Sequence, residues 1–137
     1  RLTHAVGRTM RILPGATVLE TLRANGIAHA SVCGGRARCT TCRIRVTNGQ
    51  DGLPEPQGLE ATALSRIGAN EGVRLACQLR PTSDITVLPL LTADATATYG
   101  LIRAGAEGSE RQLTVMFIDL RGSTTLGEAR MPEAPAP

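Results

Sequence analysis

The segment that decides the fold class reads Cys33-Gly34-Gly35-Arg36-Ala37-Arg38-Cys39-Thr40-Thr41-Cys42, and it holds three of the four cysteines of the chain. The fourth, Cys77, follows after 34 further residues. The pattern is therefore Cys-x5-Cys-x2-Cys with one distant cysteine. All four cysteines lie within a stretch that one domain of ordinary size can contain.

Three kinds of site use four cysteines, and the spacing favours one of them. Two disulfides suit a small secreted domain, but no secretory segment is visible, and three cysteines within ten residues pair awkwardly. A structural zinc ion commonly takes two close Cys-x2-Cys pairs, whereas only Cys39 and Cys42 form such a pair here. A [2Fe–2S] cluster takes four thiolates, and one type of site uses Cys-x4-Cys-x2-Cys with a distant cysteine. The chain departs from that spacing by one residue, which favours the cluster and leaves zinc and disulfides as alternatives.

The residues between the cysteines suit a loop that wraps an inorganic group. Gly34 and Gly35 let the backbone approach closely because they carry no Cβ. Small residues continue through the loop and leave amides free to donate to sulfur, which stabilises the extra negative charge of the reduced form. We expect Arg36, Arg38 and Arg43 to offset part of the negative charge of four thiolates.

Two histidines are candidate participants in the same site. His29 lies just before the first cysteine and could donate to a ligand or replace one, as histidines do in Rieske centres. Because four cysteines already complete the ligand set, we expect His29 and His4 to be ordinary surface or core residues.

The cysteine loop, together with Arg74-Leu75-Ala76-Cys77-Gln78, resembles the adrenodoxin-like branch of [2Fe–2S] ferredoxins, in which the first gap is also five residues. The resemblance covers residues 1–92. It implies an α+β protein with the β-grasp fold, in which a helix packs across a mixed sheet. It also implies that the cluster ligands are Cys33, Cys39, Cys42 and Cys77.

Local patterns predict the strands of such a domain. Residues 2–6 and 9–13 are typical of a hairpin about a glycine turn. Residues 43–47 alternate as a half-buried strand, and residues 85–88 form a last strand.

Two helices are predicted between these strands. Thr17 and Glu20 have the spacing of a capping box, and Asn25-Gly26 is a natural stop, so a helix is expected from Thr17 to about Asn25. A second helix is predicted over residues 59–67. Its buried residues are expected to be Leu59, Ala63, Leu64 and Ile67.

The number of acidic residues between the third and fourth cysteines distinguishes this chain from the electron-carrying members of the ferredoxin family. The resemblance implies that those members present a strongly acidic helix to their redox partners, between the third and fourth cysteines. Residues 49–73 of this chain hold only four acidic residues against Arg66. This difference favours a redox-responsive or structural regulator over an electron shuttle.

A second pattern begins after residue 110. Residues 111–126 start as an alternating strand that meets Asp119 and a turn of Gly, Ser and Thr. Over residues 111–132 the chain resembles the opening of the class III adenylate/guanylate cyclase catalytic domain. The resemblance implies that Asp119, with the carbonyl of Ile118, binds the divalent metal, Mg²⁺ or Mn²⁺, of a complete cyclase.

One metal aspartate does not complete a cyclase. Two carboxylates are needed to hold the two metals that activate the 3′-hydroxyl and bind the triphosphate, and the second is missing from this chain. We therefore expect a ferredoxin domain over residues 1–92, a linker over residues 93–110 and a cyclase fragment with a truncated strand over residues 111–137. The chain by itself should not turn over ATP.

Charge and composition bear on partners and location. All fifteen basic residues are arginines, and residues 1–50 carry eight of them against Glu20 alone. Such a basic half can indicate nucleic-acid binding, but the arginines are scattered and the only aromatics are Tyr99 and Phe117. Without a stacking platform, no nucleic-acid partner is expected. No stretch approaches the ~20 apolar residues of a membrane span, so the domain is expected to be cytoplasmic, with any anchor of the parent upstream.

The main hypothesis at this point is a [2Fe–2S] domain that regulates an attached cyclase, dimeric in the parent protein, in cyclic-nucleotide signalling. The first alternative is an electron-transfer ferredoxin that exchanges single electrons with a redox partner protein. The second alternative is a structural zinc module.

Overall fold

The computed structural model describes residues 1–101 of the 137-residue chain. Its strands are β1 (Leu2–His4), β2 (Thr9–Met10), β3 (Arg43–Asn48), β4 (Val73–Leu75) and β5 (Ile85–Pro89). They form one sheet in the order β2-β1-β5-β3-β4. The β1–β5 pair is parallel and the other neighbours are antiparallel, so the sheet is mixed, as the β-grasp fold requires.

The first helix, α1, spans Val18–Ala24 and begins where the capping box predicts. The Glu20 amide donates to the Thr17 hydroxyl at 3.1 Å, and the Thr17 amide donates to the Glu20 carboxylate at 2.7 Å. These bonds satisfy amides that the start of a helix otherwise leaves without partners. Asn25 caps the other end, which confirms the predicted stop.

One hydrophobic cluster joins the helices to the sheet. Among residues 1–101, no aromatic residue takes part in it, and apolar side chains from α1, α2 and all five strands fill the interior. The members with no exposed surface are Leu2, Val18, Leu22, Ile44, Leu75, Ala76 and Val87. The mixed sheet with a helix packed on it confirms the predicted β-grasp fold.

The second helix, α2, spans Gly58–Arg66 and corrects one predicted core residue. Leu59 is 68% exposed, whereas Glu60 beside it is 4% exposed. Glu60 is buried because both of its carboxylate oxygens accept from the Arg74 guanidinium, at 2.9 and 2.8 Å. The prediction that Leu59 is buried was wrong, because a charged pair with β4 occupies the inner position. Burial of Ala63, Leu64 and Ile67 is confirmed.

A third helix, α3, spans Ala97–Gly100, within the segment predicted as a linker. It lies against the start of β3 and the residues before it. The Thr40 hydroxyl donates to the Gly100 carbonyl at 2.6 Å, and the Arg43 guanidinium donates to the Tyr99 carbonyl at 2.6 Å. Within residues 1–101, no helix has both the length and the apolar character needed to cross a bilayer.

Candidate metal centre

The four cysteines reach one end of the sheet from two directions. Cys33 and Cys39 lie on the loop between α1 and β3, Cys42 comes directly before β3, and Cys77 lies two residues after β4. The β3–β4 register pairs Arg43 with Leu75, and the Ala76 amide donates to the Cys42 carbonyl at 3.1 Å. The distant fourth cysteine is therefore brought to the loop by strand pairing.

The thiols are arranged as two pairs. Within residues 1–101, no three side chains among His, Cys, Asp and Glu group around one point as ligands of a single metal ion. Instead, the backbone sets the cysteines in two pairs. The Cys33 amide donates to Cys39 Sγ within the loop, and the hydrogen bond from the Ala76 amide to the Cys42 carbonyl brings the neighbouring Cys77 beside Cys42. Two thiolates for each of two irons is the ligand set of a [2Fe–2S] cluster. The paired thiols fit that group.

Hydrogen bonds within the pairs shift the acidity of the thiols. The hydrogen bond between Cys42 and Cys77 lowers the pKa of Cys77 to about 6 and, together with burial, raises the pKa of Cys42. Burial opposes ionisation of Cys33, but backbone amides of the loop, those of Arg36, Arg38 and Cys39, outweigh it and lower its pKa to about 7. Since thiolates are the form that binds metal, Cys33 and Cys77 are the members of the two pairs that these hydrogen bonds favour as thiolates.

Donors other than cysteine surround the sulfur atoms. The Cys33 amide donates to Cys39 Sγ at 3.3 Å, and the Gln78 side chain donates to Cys77 Sγ at 3.5 Å. Thr41 Oγ1 accepts from the Val32 amide and lies 3.0 Å from Cys39 Sγ, so its hydroxyl hydrogen is free to point at the sulfur. The expected amide donors are present. The side-chain donors Thr41 and Gln78 were not predicted, because nothing in the sequence shows which polar groups face the thiols.

The loop backbone has an unusual conformation. Besides its two glycines, Ala37 and Thr40 have positive φ values of 57° and 54°. A β-branched residue rarely adopts this left-handed region. Thr40 is held there by its hydroxyl, which donates to the Gly100 carbonyl at 2.6 Å and also lies 2.7 Å from the Cys39 carbonyl. Helix α3 therefore supports the shape of the cysteine loop.

The arginines near the cysteines fall into two groups. Arg36 and Arg38 are exposed on the loop. Arg43, which was predicted to offset thiolate charge, is 0% exposed and donates to the Tyr99 carbonyl. It therefore has a structural role in holding α3, which the strand pattern of residues 43–47 did not indicate.

The histidines differ in their relation to the site. His29 Nε2 lies 3.1 Å from the Cys42 carbonyl, and burial lowers the pKa of His29 and favours the neutral ring. A carbonyl only accepts, so Nε2 carries the proton and donates. His29 thus supports the backbone of a cysteine. His4 is a core residue, as expected, and its Nδ1 accepts from the Val6 amide at 3.3 Å.

The predicted cyclase metal residues, Ile118 and Asp119, lie outside the described residues. The same holds for the rest of the segment 111–137 and for residues 102–110 of the predicted linker. Their predicted roles stay predictions.

Known proteins resemble the described domain. The family model of the 2Fe-2S iron-sulfur cluster binding domain matches residues 4–82. One subunit of the Na(+)-translocating NADH-quinone reductase of Chlamydia muridarum is 33% identical over 87 residues, which are 64% of this chain and 20% of that protein. The chain thus spans about one fifth of the length of such curated relatives.

Two solved structures are also similar. The ISC-like [2Fe-2S] ferredoxin FdxB of Pseudomonas putida is 32% identical with a TM-score of 0.56, and the match covers 64% of this chain and 88% of that one. A covalent complex of putidaredoxin reductase with putidaredoxin contains a chain that is 26% identical with a TM-score of 0.54. That match covers 64% of this chain and 95% of the other.

Proposed function

Because the chain belongs to the family of 2Fe-2S iron-sulfur cluster binding domains, we propose that it is an electron-transfer ferredoxin that passes single electrons between a reductase and an acceptor. When bound, the cluster gains or loses one electron. The proposed ligands are Cys33, Cys39, Cys42 and Cys77. The observation that carries this proposal is the arrangement of the thiols in two pairs at one end of the sheet.

The residues of the chain have distinct roles in this function. Amides of the loop and the Thr41 and Gln78 side chains donate to sulfur, which stabilises the negative charge that reduction adds. Cys42 and Cys77 are buried, whereas Cys33 and Cys39 are only half-buried. The Cys33–Cys39 pair therefore faces solvent and offers the shorter route for an electron to or from a partner.

The similar proteins support electron transfer over regulation. One solved structure is a complex of a ferredoxin with its reductase, and the curated relatives are subunits of a reductase. The small number of acidic residues that favoured a regulator concerns residues 49–73. It affects which partner protein binds, not whether the cluster can transfer an electron.

The test is the redox behaviour of the full chain purified without oxygen. We expect a red-brown protein with equal amounts of iron and acid-labile sulfide, which a ferredoxin reductase reduces by one electron and an acceptor reoxidises. Cys39→Ser should lose or strongly destabilise the cluster, because metal binding is coupled to folding. Ser65→Ala, a change on the exposed side of α2, is the matched control and should behave as wild type.

Two results would contradict the proposal. A colourless protein with one zinc per chain would establish the zinc module instead. A cluster-loaded protein that no reductase reduces, and that passes no electron to any acceptor, would leave the domain as a structural or regulatory module.

Regulation of an attached cyclase remains a second hypothesis, supported by the segment 111–132 alone. That segment lies beyond the residues matched by the family model and outside the described structure. In a parent protein with a complete cyclase domain, reduction of the cluster would have to change cyclic-nucleotide formation. Equal activity of the oxidised, reduced and Cys33→Ser parent would refute this role.

A further inference from the structure

A groove opens beside the half-buried thiol of Cys39. It has a volume of about 450 Å³ and lies between the cysteine loop, the end of α2 and helix α3. Its lining residues are Arg38, Cys39, Arg66, Ala97, Thr98 and Leu101. We call it the Cys39 groove. It gives a partner direct access to a proposed cluster ligand.

The rim of the Cys39 groove is positively charged. Arg38 and Arg66 line the groove, Arg36 lies nearby on the same loop, and all three are exposed. The Arg66 guanidinium is held at the rim by donating to the Arg38 carbonyl at 2.6 Å. Among the groups within residues 1–101, none of these three arginines forms an ion pair with a carboxylate.

The acidic residues between the third and fourth cysteines do not line this groove. The only acidic residue of α2 is Glu60, and it is buried against Arg74. The exposed carboxylates Asp51, Glu55 and Glu71 line a separate cavity, which shares no residue with the Cys39 groove. Within residues 1–101, the lining of the Cys39 groove is therefore basic, even though the region between the third and fourth cysteines is acidic in sequence.

Apolar side chains accompany the positive charge. Leu101 lines the groove and is 79% exposed. On α2, Leu59, Thr62 and Arg66 follow one another at spacings of three and four residues, so they share one face of the helix. Leu59 is also exposed, at 68%. Exposed apolar groups ringed by charge are typical of protein interaction sites.

We propose that the Cys39 groove is the docking surface for a redox partner protein whose own surface is acidic. This proposal rests on the electron-transfer function above. Carboxylates of the partner would pair with Arg36, Arg38 and Arg66, while an apolar side chain contacts Leu101. One electron then passes across Cys39, and the partner is oxidised or reduced by the same one electron. Complementary charge raises the rate of encounter and makes it dependent on ionic strength.

The test compares two haem proteins as probes, cytochrome b5 with an acidic surface and cytochrome c with a basic one. Binding to the oxidised, cluster-loaded full chain is measured first, without turnover, at low and high salt. Electron transfer from the reduced chain is then followed by stopped flow. We expect tighter binding and faster transfer with cytochrome b5, and both should weaken as salt is added.

Variants locate the surface. Arg38→Glu/Arg66→Glu should weaken binding of cytochrome b5 by about tenfold or more at low salt. Arg8→Glu/Arg11→Glu changes the net charge equally at the β1–β2 hairpin, outside the groove, and should have a much smaller effect. Leu101→Ser should weaken binding without changing its salt dependence.

Different outcomes of this experiment would refute the docking surface and the electron-transfer function. Efficient transfer to both probes, with equal effects of the two double variants, would refute the docking surface and leave electron transfer intact. A change in reduction potential with unchanged binding would mean that the arginines only balance cluster charge, and would also refute it. Absence of any one-electron transfer would instead refute the proposed function.

Discussion

Removing the charge of Glu60 should destabilise the domain far more than removing the charge of an exposed carboxylate. The Glu60 and Arg74 side chains are only 6% and 9% exposed. The Glu60 carboxylate accepts from the Arg74 guanidinium twice and from the Leu75 amide at 2.9 Å. Glu60→Gln keeps the shape of the side chain but leaves the Arg74 charge buried without its counter-ion.

The expected cost follows from that burial. Breaking a buried ion pair by removing one partner costs about 3–5 kcal/mol. Since the stability of a whole domain is about 5–15 kcal/mol, this is a large fraction of it. For a domain of this size the loss corresponds to a fall in melting temperature on the order of 10–30 °C. Because Leu75 is two residues from Cys77, we also expect faster loss of the cluster.

The assay is thermal unfolding of the cluster-loaded full chain without oxygen, at one scan rate for all variants. Far-UV circular dichroism reports the fold and visible absorbance reports the cluster. Glu71→Gln, an exposed carboxylate in the same region, is the matched control and should change little. The double variant Glu60→Leu/Arg74→Met should recover most of the loss, because well-packed apolar residues can replace a buried pair. A Glu60→Gln protein within about 1 kcal/mol of Glu71→Gln would refute the reasoning.

Two further predictions concern α3 and His4. A Cβ at Gly100 would clash with the Cys39 carbonyl oxygen, so Gly100→Ala should displace α3. Amide hydrogen exchange of residues 97–101 should then become faster. Thr98→Ala, a change at an exposed position of the same helix, is the control and should leave the exchange unchanged. Burial, followed by the charge of Arg8, lowers the pKa of His4 below its ordinary value of 6.5. The unfolded chain then binds more protons below that pH, so stability is fully present above about 6.5 and falls as the pH drops. His4→Gln should unfold with a smaller pH dependence than wild type between about pH 7 and 5, and equal slopes would contradict this prediction.

Short-range patterns predicted the parts of the fold that short-range forces determine. The capping box of Thr17 and Glu20 needs residues three positions apart, and it forms as predicted. The cysteine spacing likewise indicated a [2Fe–2S] cluster, since Cys39 and Cys42 are close enough in sequence for one loop to bring both thiols to the same inorganic group. Strand β4 was not predicted, because a strand of three residues, Val73–Leu75, has no visible period of its own.

Two other failures of prediction, at Leu59 and at Arg43, depend on residues distant in sequence. Leu59 is exposed instead of buried because the neighbouring Glu60 turns inward to Arg74, fourteen positions away, which supplies the counter-charge. Arg43 is buried because its guanidinium donates to the Tyr99 carbonyl of α3, a helix that no sequence pattern predicted. A hydrophobicity pattern ranks each residue by its own side chain, and it contains no information on such partners.

The position of β5 has a consequence for how the protein is made. This strand is the last one within residues 1–101, yet it lies between β1 and β3 and alone connects the two outer strand pairs. During synthesis, at about 5–20 residues per second, β1–β2 and β3–β4 therefore exist as separate two-stranded ribbons, which are marginally stable in water. Every cysteine has been made before Ile85 begins to close the sheet. A nascent chain thus carries four thiols before the sheet can close, and we expect their oxidation before cluster assembly to lower the yield of holoprotein in air.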